Sequence, residues 1–70
     1  NKVSIANSLQ YIGNTYRLQG RYSEALDNFF PSLRIREELA NKPEIAYLLS
    51  EIGNTYRLQG KYREASAYQS

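Results

Sequence analysis

The chain has 70 residues, nine basic and seven acidic, for a net charge of +2. That length allows one small domain with a modest core, and the near-even charge argues against a nucleic-acid binder. The chain has no Cys and no His, which removes disulfides, thiolate metal sites and the commonest general base. It also has no apolar run of membrane length and no signal-peptide core. The expectation is a cytoplasmic protein with no metal, no cofactor and no membrane partner.

Residues 1–19 read as a helix. Ile5, Leu9, Ile12 and Tyr16 fall on one face, with the small Ala6 and Gly13 on its flank. Gly within a helix costs about 1 kcal/mol relative to Ala, so Gly13 suggests that another helix crosses close by. Asn1 or Ser4 is positioned to cap the start, and Gly20 to end it. Ser23 is the expected N-cap of a second helix reaching Ala40, with Glu24 in its first turn. Its apolar set is Ala25, Leu26, Phe29, Phe30, Leu33 and Leu39. Pro31 lies within that phase, which predicts a kink rather than a break. Arg34, Arg36, Glu37 and Glu38 read as a solvated charged face.

Asn41-Lys42-Pro43-Glu44 marks the next boundary, with Pro43 as the first helical residue. The third helix carries Ile45, Ala46, Leu49, Ile52, Gly53 and Tyr56, and Gly60 closes it. Residues 64–70 open a fourth helix, in which Tyr68 is expected to take over the aromatic role of Phe29, because Gln69 is the repeat mate of Phe29.

The stretch Ile12-Gly13-Asn14-Thr15-Tyr16-Arg17-Leu18-Gln19-Gly20 returns unchanged as Ile52 to Gly60, at an offset of 40 residues. Around it, residues 5–25 and 45–65 differ only at positions 7, 8, 10, 11, 21 and 23 and their mates. Such a period means a copied supersecondary unit, and hence a solenoid. One repeat is expected over residues 3–40 and an incomplete second over 43–70, as a fragment of a longer array.

Leu9, Ile12, Gly13, Tyr16, Gly20, Tyr22, Ala25 and Phe29 together resemble the tetratricopeptide repeat. Leu49, Ile52, Gly53, Tyr56, Gly60, Tyr62 and Ala65 supply the second copy. Leu9 and Leu49 stand where the family has an aromatic residue, and the period of 40 is longer than the usual one. That longer period resembles the subclass found in kinesin light chains, spindle-orientation adaptors and bacterial signalling proteins. The resemblance implies an all-α fold of antiparallel helix pairs stacked in a right-handed superhelix. It also implies that the first helix of each pair lines a concave groove that binds extended peptides.

Within that groove the candidate peptide-binding residues are Gln10, Asn14, Arg17, Asn54 and Arg57. Gln10, Asn14 and Arg17 share one helix face, and Asn54 and Arg57 repeat the last two. An Asn amide offers both a donor and an acceptor to a peptide backbone. Arg forks onto a carboxylate, so an acidic segment is the expected ligand. The alternative is that the Asn residues tie adjacent helices and the Arg residues are solvated. Tyr11, Tyr47, Leu18 and Leu58 either line the groove or serve packing.

No enzyme constellation is present. Gly53 to Lys61 lacks phosphate-loop spacing, no Ser has a His to activate it, and Glu37 and Glu38 point in different directions. Two functions remain: a protein-interaction scaffold, or a structural spacer that self-associates through open repeat ends.

Overall fold

The computed structural model describes residues 1–68 and contains four helices: α1 (Lys2–Leu18), α2 (Tyr22–Glu38), α3 (Lys42–Leu58) and α4 (Tyr62–Tyr68). No strand occurs among the described residues. Asn1 caps α1, its side-chain oxygen accepting from the Ser4 amide at 2.9 Å. Asn41 caps α3, accepting from the Glu44 amide at 3.4 Å. Each cap satisfies one of the amides that a helix start leaves unpaired.

The helices meet at three junctions of one geometry. After α1, the Gly20 amide donates to the Arg17 carbonyl at 3.0 Å and the Arg21 amide to the Tyr16 carbonyl at 2.9 Å. Gly60 and Lys61 repeat both bonds after α3, and Ala40 and Asn41 make them after α2. This paired return closes a helix by placing one residue in the left-handed region. Gly20 and Gly60 sit there at φ 76° and 78°, and Ala40 at φ 53°.

That tight return corrects three expected boundaries. It leaves Arg21 as the only residue between the turn and α2, and the Arg21 carbonyl already accepts from the Ala25 amide. Ser23 therefore lies inside the helix and caps nothing. Arg21 occupies the cap position without a side-chain cap bond and pairs with Glu24 at 2.8 Å instead. At the next junction the turn at Ala40 ends α2 at Glu38, and α3 starts at Lys42, one residue before Pro43. α2 runs unbroken through Pro31. Pro31, which has no amide to return a bond to the Asp27 carbonyl, is exposed, as is Asp27.

Each helix packs on the next, α1 on α2, α2 on α3 and α3 on α4. The Cα envelope measures 34 × 26 × 13 Å, so the core is a seam between two helix layers. Ala25, Leu26, Phe29, Leu33, Leu48 and Ile52 form it, with Tyr16, Phe30, Ile45, Leu49, Tyr56 and Tyr68 packed around them. Tyr68 packs against this core, stacked on Tyr56 at 5.7 Å and edge-on to Phe30 at 6.0 Å, but it is only half-buried where Phe29 is fully buried. Gln69 lies outside the described residues.

The two copies are buried differently. Ile52 is fully buried, whereas its mate Ile12 is 41 % exposed. α2 covers the face of α3 that bears Ile52, and among the described residues nothing covers the same face of α1. Ile5 is likewise exposed, so the expected α1 stripe buries mainly through its flank, Ala6 and Gly13. The reverse holds at Ala46, which is exposed while its mate Ala6 is buried. α2 has the second half that covers Ala6, and the seven residues of α4 have no counterpart to it.

The second half of α2 also overturns an expectation. Arg36 is 3 % exposed, not solvated. Its Nη2 donates to Asn7 Oδ1 at 2.6 Å and lies 3.2 Å from a Glu44 carboxylate oxygen. It thereby ties α1, α2 and α3 together. Ser32, also buried, donates to the Ala6 carbonyl at 2.9 Å. Arg34, Glu37 and Glu38 are exposed as read.

Candidate functional site: the polar face of α1 and α3

The candidate residues occupy one polar side of the first helix of each repeat. On α1, Gln10, Asn14 and Arg17 are each partly buried. Gln10 Oε1, Asn14 Oδ1 and Arg17 Nε are shielded from water and have no hydrogen-bond partner. A polar atom in that state costs roughly 1–3 kcal/mol, so three along one helix face need an explanation. On α3, Asn54 is partly buried and Arg57 exposed, and Arg57 Nη2 donates to Asn54 Oδ1.

The repeated stretch therefore adopts two arrangements. Arg57 turns back along its own helix to Asn54. Arg17 reaches across to the next repeat, its Nη2 lying 3.4 Å from Glu51 Oε2. The ion pair is partly shielded, with the Arg17 and Glu51 side chains 26 % and 14 % exposed. Turning Arg17 toward Glu51 is what leaves Asn14 Oδ1 without the partner that Asn54 has. Asn14 Oδ1 makes no tie to a neighbouring helix, and it is Arg17 that reaches from α1 to α3.

Reading the sequence missed Glu51, Arg36 and Asn7. Glu51 carried a signal: it replaces Tyr11 at one of the few positions where the copies differ. Arg36 carried none, because the charges around it are solvated. Tyr11, Leu18 and Leu58 are exposed at 74 %, 80 % and 52 %. Tyr11 lines an open groove of about 540 Å³ with Asn7, Ser8 and Ile12, on the uncovered side of α1.

Tyr56 packs between Phe30 and Tyr68. Burial pushes its phenol above its ordinary pKa, and Tyr68 and Glu64 add to the effect. In the first copy the Arg21 guanidinium lies over the Tyr16 ring at 5.0 Å, within cation–π range.

Among the described residues no group of acidic residues could hold a metal ion, and no helix is long and apolar enough to cross a membrane. No curated protein and no solved structure matches the chain. The family model described as tetratricopeptide repeat matches residues 4–70, covering both helix pairs. With the repeated motif, the antiparallel pairs and that match in agreement, the chain belongs to the tetratricopeptide repeat family.

Proposed function

We propose that the polar face of α1 and α3 binds an extended, acidic segment of a partner protein. Tetratricopeptide repeats mediate protein–protein interactions and are non-catalytic scaffolds. The observation that carries the finer reading is the row of unpartnered polar atoms at Gln10, Asn14 and Arg17. Their side chains are only partly buried, so rotation of an amide brings a donor or an acceptor to a peptide backbone. The exposed Arg57 supplies the positive charge for a carboxylate, and the period of 40 residues supports placement in the long-period subclass.

The double variant Asn14→Ala/Asn54→Ala tests the reading in titration calorimetry with a capped synthetic peptide of alternating Asp and Ser. Loss of about tenfold or more in affinity is expected, since each lost hydrogen bond weakens binding by a few-fold or more. An unchanged thermal melt would show that the fold survives. Equal affinity of wild type and variant would return Asn14 and Asn54 to a purely structural role.

One observation favours a second reading, self-association. Ile5, Tyr11 and Ile12 leave the side of α1 apolar and open, at 52 %, 74 % and 41 % exposure. Sedimentation at rising concentration separates the two readings, because a species that stays monomeric throughout removes self-association and leaves the groove reading intact.

A further inference from the structure

We infer that Arg36 tells the two copies of the first helix apart, so that α1 and α3 each take their own place on α2. This role is separate from the groove and uses none of the candidate peptide-binding residues.

α2 packs against both α1 and α3, and those two helices are close copies. Residues 5–18 and 45–58 differ only at positions 7, 8, 10 and 11 and their mates. The helices also start alike. The Ser4 amide donates to the Asn1 side chain as the Glu44 amide does to Asn41, so positions 4 and 44 are equivalent in structure as well as in offset. Ala6 and Gly13, which α1 buries, recur as Ala46 and Gly53, and Ile52, which α3 buries, recurs as Ile12. Most of the packing residues therefore fit either place on α2. Leu48 discriminates, because its mate is Ser8, but it is buried only at the place of α3.

Arg36 reads both places at once. It is almost fully buried, and its Nη2 meets Asn7 of α1 at 2.6 Å and Glu44 of α3 at 3.2 Å. Both partners are specific to their copy: the mate of Asn7 is Tyr47 and the mate of Glu44 is Ser4. The first copy at the place of α3 would offer Arg36 a hydroxyl instead of a carboxylate. The second copy at the place of α1 would offer it a phenol instead of an amide oxygen. Either error strips a partner from a guanidinium whose Nε already has none, and a buried charge without its partner is strongly disfavoured. The penalty falls on the wrong arrangement. A buried ion pair adds little stability over an apolar side chain of similar size, and setting register is its best-attested use.

The test uses the whole chain. Arg36→Met keeps the long stem and removes the charge, and the exposed Asn7 and partly exposed Glu44 return to water. Ser8→Leu removes the discrimination at Leu48 from an exposed position. Ser8→Leu alone should give one set of amide signals in nuclear magnetic resonance. Ser8→Leu/Arg36→Met should still fold, with a similar midpoint in urea, but give a second set for α1 and α3. A single set in that double variant overturns the inference, as does failure to fold, because Arg36 would then supply stability rather than choose between copies. The exchange variant Ser4→Glu/Asn7→Tyr/Glu44→Ser/Tyr47→Asn gives an independent readout, since it keeps the composition and trades the partners of Arg36 between copies. It should lower the folded-to-unfolded ratio about thirtyfold or more, and adding Arg36→Met should cut that loss to about threefold or less. Equal losses with and without Arg36 would show that Arg36 does not read the copies.

Discussion

A methyl group added at Gly13 would stand 2.7 Å from Phe29 Cε1, 2.8 Å from Phe29 Cδ1 and 3.2 Å from the Ala25 carbonyl. Phe29 is fully buried and has no room to give way. The expected outcome for Gly13→Ala is a loss of about 1–2 kcal/mol in urea unfolding, because overpacking outweighs the gain of about 1 kcal/mol in helix propensity. This close approach was legible in the sequence, since a Gly inside a strongly periodic helix needs a reason. Arg36 was not legible. A guanidinium among exposed charges reads as solvated, and only the arrival of Asn7 from α1 and Glu44 from α3 gives it partners in the interior, although its Nε is left without one.

At the level of the element, the junctions show which turn residues the chain needs. Gly20 and Gly60 take the left-handed position without steric cost, while Ala40 takes it at φ 53° with a Cβ. Ala40→Gly should therefore raise stability by about 1 kcal/mol, which for a chain of this size is a shift of about 4–8 °C in Tm. No change in a thermal melt would show that the junction relaxes without strain. The helices themselves were readable from their 3.6-residue period and from Gly and Pro, because these are local properties of the backbone. Their boundaries slipped by one or two residues where the paired return at Ala40 and Gly20 left no room for a separate cap. Ser23, set inside α2, accepts from Gln59 Nε2 at 3.3 Å, a contact from the far end of α3.

For the whole molecule, stacking decides what each repeated residue is worth. Ile12 and Ile52 sit in identical local sequence, and only Ile52 is covered by α2. Ile52→Ala should cost about 2–4 kcal/mol and Ile12→Ala less than about 1 kcal/mol, both measured by urea unfolding. Equal costs would mean that the open side of α1 is covered in solution, which joins this prediction to the self-association reading. Thr15 and Thr55 differ in the same way: Thr55 is fully buried and its mate is exposed. Leu48, a fully buried core residue, escaped the sequence reading because its mate Ser8 is polar and faces the open side.

The sequence by itself determined the four helices, the repeat and its offset of 40 residues, and the family. All of these follow from periodicity, turn chemistry and internal comparison. It could not distinguish Arg17 from Arg57, because the nine residues around them are the same. The tertiary structure decided that Arg17 reaches across to Glu51 while Arg57 turns back to Asn54. The physical reason is that a side chain's charge balance depends on what the neighbouring repeat brings beside it, and a repeat carries no record of its neighbour.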